Sequence, residues 1–191
     1  MVDRDEHGLQ RRVAGTHSVR LDGIQDLLSR CRDGSVLDIG CNWGSVCVDF
    51  QNNYASLVHG CDIFEDGIKF MSGYFAQFRE VRSHFAVVDL THGPKCFTPF
   101  GGQRYDIVTM LATYHKIKRI MKPDDLSVLM RHIGGNLTRN YFGWRATSDK
   151  PAENEQEMAS IDKDMKDVGL RRIHTSYISR QLGVAAIWER R

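Results

Sequence analysis

Apolar positions along this chain switch between two spacings, and the switches divide it into elements. In "SVRLDGIQDLLSRCRDG", Ile24, Leu27, Leu28 and Cys31 recur at i, i+3, i+4 and i+7, which predicts an amphipathic helix stopped by Gly34. "SVLDIG" is a short apolar run ending in glycine, as a buried strand would be, and "SVCVDFQNN" turns back as a helix despite its valines. Similar strand runs follow in "SLVHGCDI", "HFAVVDL" and "YDIVTMLAT", the first of them leading into a helix over "FEDGIKFMSGYFAQF". Ile117, Ile120 and Met121 share one helical face before Pro123. Leu126, Leu129, Met130 and Ile133 then keep the spacing until Gly134-Gly135 ends the helix. "LTRNYFGW" is a fifth strand, and "PAENEQEMASIDKDMKDVG" a helix with Met158, Ile161, Met165 and Val168 along one stripe.

The last two runs, "LRRIHTSYIS" and "GVAAIWE", are separated by only a few residues. That is hairpin spacing, too short for the crossover helix that a parallel pair needs. Alternating strand and helix closed by such a hairpin predicts an α/β fold, with a mostly parallel central sheet flanked by helices and a C-terminal antiparallel hairpin. No repeat, low-complexity tract or linker interrupts the pattern, so residues 1–191 read as a single domain. The polar segment 1–15, with Arg11 and Arg12, and His17 just after it, reads as either flexible or a lid over the site.

Composition narrows the classes of function. The chain has 191 residues, 41% of them hydrophobic and 26% charged, and a formal net charge of +2, which is too balanced to announce a nucleic acid or an anionic membrane as partner. No run approaches the ~18 apolar residues of a membrane span. The N-terminus is too polar for a signal peptide, so the expectation is a cytoplasmic protein with no membrane partner. The five cysteines are odd in number and show no C-x-x-C spacing. They suggest neither a disulfide framework nor a metal site and read as small buried hydrophobes.

The chemistry concentrates at "VLDIGCNWGSV". In an open, mostly parallel sheet, ligands sit beyond the carboxyl ends of the strands, where this stretch falls. A dinucleotide fingerprint G-x-G-x-x-G starting at Gly40 fails twice, at Asn42 and Ser45. The pattern acidic-x-G-x-G-x-G is met by Asp38 through Gly44, with Asn42 in the middle glycine's place, and asparagine tolerates left-handed backbone angles. Two more strands end near carboxylates, at Asp62 and at Asp89-Leu90.

From about Ser35 onward, final antiparallel strand included, the chain resembles the class I (Rossmann-like) S-adenosylmethionine-dependent methyltransferases. The resemblance implies S-adenosyl-L-methionine as cofactor, approached closely by the backbone of Gly40, Cys41, Asn42, Trp43 and Gly44. Asp38 would face its cationic end, and the helix after Gly44 its carboxylate. Asp62 would accept the ribose hydroxyls, with Ile63 beside it against the cofactor, Asp89-Leu90 would meet the adenine, and Leu111, at the end of the fourth strand, would also touch the cofactor.

On the same resemblance, "LATYHKIKR" faces the transferred methyl. It lacks the (Asp/Asn)-Pro-Pro-aromatic motif of enzymes acting on base amines, and also the Pro-Cys pair of cytosine-carbon enzymes. His115 is placed as a general base or as a helix cap, and Tyr114 as a pocket wall or a hydrogen-bond partner of the acceptor. Lys116, Lys118, Arg119 and Lys122 form either a solvated face or a docking surface for phosphate, carboxylate or nucleic acid. Arg145, Thr147 and Ser148 follow the fifth strand on that side, and Trp144 reads as core. The expected activity is methyl transfer to an oxygen or nitrogen of a small-molecule acceptor. The alternatives are an RNA or protein acceptor docked through residues 115–122, and a cofactor-binding protein without catalysis.

Overall fold

A computed structural model of the protein describes residues 3–4, 10–11, 17–146, 150–179 and 183–191. Its centre is a seven-stranded sheet. In chain order the strands are β1 (Ser35–Ile39), β2 (Leu57–Asp62), β3 (Arg82–Val87), β4 (Tyr105–Leu111), β5 (Thr138–Arg145), β6 (Leu170–Ser179) and β7 (Gly183–Arg190). Across the sheet they run β3-β2-β1-β4-β5-β7-β6. The first five are parallel, and β7 pairs antiparallel with both β5 and β6.

The apolar runs become strands because both faces of the sheet are covered, so alternate residues on each strand meet a hydrophobic layer. On one face Leu37, Ile39, Val108 and Met110 pack with residues of α5 (Pro123–His132) and α6 (Pro151–Asp167), among them Leu129 and Ile161. On the other, Val36, Val58 and Ile107 pack with α1 (Asp26–Ser29), α2 (Ser45–Asn52) and α3 (Glu65–Phe75) through Leu27, Phe50 and Met71. Each such side chain, fully buried, contributes about 1.5–3 kcal/mol. Both α5 and α6 begin with proline, which has no N–H to leave unpaired at a first helical position.

Three boundaries differ from the periodicity. The expected helix before Gly34 is broken into a 3-10 turn at Val19–Leu21 and the single turn α1. Gly23 between them has φ +83°, and its missing Cβ makes room for Ser176 of β6, whose Cβ would lie 2.9 Å away. The helix expected across residues 117–134 is also two pieces, α4 (Tyr114–Ile117) and α5. Pro123 starts a new helix instead of continuing the old one. Ile120 lies in the turn between the two pieces and is 73% exposed. Gly134-Gly135 do not end α5, because the chain runs through them in a π turn, Ile133–Leu137, whose first carbonyl accepts from Thr138 Oγ1 at 2.9 Å.

The 3-10 segment Leu90–Phe100 had no periodic signal, since Pro94 and Pro99 interrupt it, yet it buries Phe97 and Phe100. A two-residue ladder joins Asp3–Arg4 to Gln10–Arg11. Arg12 and most of the expected lid, like Thr147 and Ser148, lie outside the described residues. Trp144 is fully buried, as expected. Among the described residues no helix is long and apolar enough to cross a membrane.

Candidate functional site

The turn after β1 is built from backbone that side chains would obstruct. Gly40 has φ +81°, and a Cβ there would lie 2.0 Å from Thr113 Oγ1. Asn42, at φ +50°, adopts the left-handed geometry expected of it. Its N–H donates to Asp62 Oδ2 at 2.9 Å, while Asp62 Oδ1 accepts from the Phe64 N–H at 3.0 Å. The Gly44 N–H closes the turn on the Cys41 carbonyl at 2.7 Å, and α2 starts at the next residue.

A cavity of about 290 Å3 opens beyond the carboxyl ends of β1, β2 and β4. Asp62, Ile63, Asp89, Leu90 and Thr91 line it from the side of β2 and β3, and Gly40, Asn42, Leu111, Ala112 and Thr113 from the side of β1 and β4. β3 itself stops at Val87. Asp89, two residues beyond, caps the following 3-10 segment by accepting from Thr91 Oγ1 at 2.7 Å and the Thr91 N–H at 2.9 Å. Those two bonds hold its carboxyl below the usual range, so it is ionised at neutral pH. Ile63, 66% exposed, adds an apolar surface between the two carboxylates.

Gly40, Asn42, Asp62, Ile63, Asp89, Leu90 and Leu111, all named from sequence, therefore meet at one cavity. Asp38, Cys41, Trp43 and Gly44 do not line it. Asp38 is 3% exposed beneath the turn and accepts from Thr109 Oγ1 at 2.7 Å, so it does not face a cationic ligand group. Its side chain lies on the α2 face of β1, and burial there raises its pKa to about 6. Cys41 is buried. Trp43 turns toward α3, packing edge-on against Phe64 and Phe70 at 4.9 and 5.8 Å. Gly44 is pressed against Met71, where a Cβ would lie 2.1 Å from Cε.

Tyr114 and His115 also do not line the cavity. Ala112, with φ +57°, turns the chain sharply at the end of β4 and so sets the rotational phase of α4. Thr113, Lys116, Ile117 and Ile120, spaced i, i+3, i+4 and i+7, consequently face the cavity. Tyr114 instead enters a second hollow with Ser160 and Asp164 of α6, and burial raises its phenol pKa to about 12. His115 is half-buried, and burial followed by the charges of Lys116 and Arg119 lowers its pKa. Thr113 Oγ1 bonds the Leu111 carbonyl at 3.2 Å.

Arg20, Thr91 and Thr113 line the cavity without any motif to mark them, and of the basic stretch named from sequence Lys116 lines it too. For the α4 residues the available signal was helical spacing counted from Thr113. For Arg20 there was none, because tertiary contacts place it. The Ser18 N–H donates to buried Asp49 on α2 at 2.8 Å, and the Val19 carbonyl accepts from the buried Arg145 guanidinium. These two anchors strap the segment across the site and leave Arg20 at the cavity.

The strand order, the terminal hairpin and the cavity at the end of β1 define the class I, Rossmann-like S-adenosylmethionine-dependent methyltransferase fold. Solved structures share it. The magnesium protoporphyrin IX methyltransferase of Synechocystis PCC 6803, determined with bound SAH, superposes with a TM-score of 0.62 at 17% identity, over 94% of this chain and 90% of that one. An S-adenosylmethionine-dependent methyltransferase from Clostridium acetobutylicum gives 0.65 at 11% identity, over 93% of each chain. The N-methyltransferase NodS from Bradyrhizobium japonicum gives 0.65 at 10% identity, over 90% and 93%. No protein-family model matches the chain, and no curated protein does.

Proposed function

We propose that the protein binds S-adenosylmethionine in this cavity and transfers its methyl group to an oxygen or nitrogen of a small-molecule acceptor. The observation that carries the reading is the convergence of Gly40, Asn42, Asp62 and Asp89 on a single cavity in a methyltransferase fold. The site fits the cofactor. Gly40 and Asn42 bring the glycine turn to the cavity wall, with Thr113 packed against Gly40 where any other side chain would stand, so a ligand can lie along the turn. Asp62 has lone pairs beyond those given to Asn42 and Phe64, enough to accept ribose hydroxyls. Ionised Asp89 can accept from an exocyclic amine, with Ile63 beneath the flat base. Arg20 lines the same cavity as the glycine turn, and its guanidinium suits the methionine carboxylate.

When bound, the cofactor supplies an electrophilic methyl on a sulfonium: the C–S bond breaks as a C–O or C–N bond forms, and a proton leaves the acceptor. The protein's task is then alignment, the term with the largest return in a displacement with a good leaving group. Thr113 stands at the cavity wall against Gly40, with its hydroxyl held by the Leu111 carbonyl. S-adenosylmethionine and its demethylated product should raise the melting temperature, since a ligand of the native state stabilises it, whereas NAD should not. Stabilisation by NAD alone would overturn the reading.

A further inference from the structure

We propose that the methyl acceptor is a small anion whose carboxylate or phosphate is held by Lys116, with its apolar body resting on Ile117 and Ile120. The inference depends on the cofactor reading above and extends it to the class of acceptor. S-adenosylmethionine carries an ammonium, a sulfonium and a single carboxylate, so it can satisfy one protein cation. Among the described residues two line the cavity, Arg20 and Lys116. Arg20 acts on buried Asp38, while Lys116 has no acidic partner among the described residues, unlike neighbouring Lys118, which has Glu157 at 3.7 Å.

Position separates the two cations. Arg20 hangs from the strap whose Ser18 hydroxyl lies 3.5 Å from that of Ser45 at the start of α2, and it acts electrostatically on Asp38 beneath the glycine turn. It belongs to the methionine end. Lys116 stands one helical turn beyond Thr113 on α4, with Ile117 and Ile120 continuing the same face. No residue from Ala112 to Pro123 is acidic, and Arg119 adds to the positive field. An ammonium left without a partner beside a displacement site is a recognition group for the second substrate.

The apolar neighbours narrow the class further. Ile120 is 73% exposed yet lines the cavity, a surface suited to an aromatic or alkyl group. The positive surface is also short, because exposed Asp124 and Asp125 follow Lys122 after a single proline. A long polyanion would meet those carboxylates within one turn, while a small anion would not.

Calorimetric titration of the protein saturated with S-adenosylhomocysteine tests this, with benzoate, inorganic phosphate and a short uridine oligonucleotide as probes. Wild type should bind benzoate or phosphate at millimolar concentrations, and which of the two binds better assigns the anionic group. Lys116→Glu should weaken that binding by at least about tenfold, and Lys116→Arg should keep it within about threefold. Anion affinity should fall several times more than affinity for S-adenosylhomocysteine in Lys116→Glu, which separates loss of the acceptor site from loss of the cofactor site. Equal anion affinity in wild type and Lys116→Glu, or binding of the oligonucleotide alone, overturns the proposal. Failure of wild type to bind S-adenosylhomocysteine overturns the cofactor reading, and this proposal with it.

Discussion

The Asp62 carboxylate holds the amide of Asn42 at 2.9 Å and so ties the end of β2 to the turn that follows β1. The same group that is proposed to take the ribose also fixes the left-handed residue beneath the cofactor. Bonds to a charged acceptor contribute about 1.5–3 kcal/mol each. Asp62→Ala should therefore weaken S-adenosylhomocysteine binding by at least about tenfold. Asp62→Asn, which keeps one acceptor and loses the charge, should fall between it and wild type. Calorimetry on variants first checked for native circular dichroism decides this, and unchanged affinity in folded Asp62→Ala would remove the central support for the site.

Gly40 is both left-handed and in contact with Thr113, so the two penalties of a side chain there can be separated. Gly40→Ala should lower stability by about 1–3 kcal/mol and abolish measurable cofactor binding. Adding Thr113→Ala relieves the clash but not the backbone strain, so it should recover stability only in part. Chemical denaturation of both variants measures the split, and full recovery would show that φ +81° imposes no strain.

The acceptor side offers a contrast between adjacent residues. Tyr114 lies in the second hollow against α6, so Tyr114→Phe should leave kcat/KM within about twofold, whereas Thr113→Ala should reduce it by about tenfold through misalignment. Release of S-adenosylhomocysteine provides an assay once an acceptor is in hand. The reverse ranking would mean that α4 is rotated from the phase described.

Asp38 and His59 give stability two opposed dependences on pH. Burial raises the Asp38 pKa from 3.8 to about 6, so its native proton is held between about pH 4 and 6, and the stability it brings is lost as pH rises through that window. Asp38→Asn should therefore gain on wild type between those pH values, by on the order of 2–3 kcal/mol. His59 has the opposite sign. Burial, then His84 and Arg82, lowers its pKa from 6.5 to about 4, so it contributes stability above pH 6.5 that is lost as pH falls toward 4. His59 Nδ1 lies 2.7 Å from Tyr105 Oη, and His59→Gln should flatten the acid limb of a stability profile. Urea midpoints across that range test both, and parallel profiles for wild type and Asp38→Asn would remove the burial account of Asp38.

What was legible in the sequence follows from how local each cause is. β1 and β4 stand out because both faces are buried, so apolar residues outnumber polar ones on each. The hairpin shows because its loop is too short for anything else. Asp62 and Asp89 are visible at or near strand ends, where an α/β sheet presents its ligands. Asp38 matches the same motif, but it is buried under α2 against Cys47 and bonded to Thr109, which lies far off in the chain. The phase of α4 turns on the positive φ of Ala112, a residue with no preference for that geometry, so Tyr114 and His115 were placed one position off the cavity face. Arg20 depends on contacts with Asp49 and Arg145 that no local pattern encodes.

The hairpin also sets an order of assembly on the ribosome. β6 is synthesised before β7, yet β7 is the strand that joins it to β5. For as long as β7 is still being made, β6 has no neighbour to pair with and β5 presents an open edge to other nascent chains. Fully buried Trp188 arrives with β7, and the packing of Phe142 and Trp144 against its ring waits for it. A ribosome stalled inside Gly183–Arg190 would thus hold a sheet of five parallel strands with an exposed aromatic flank, a natural client for a chaperone.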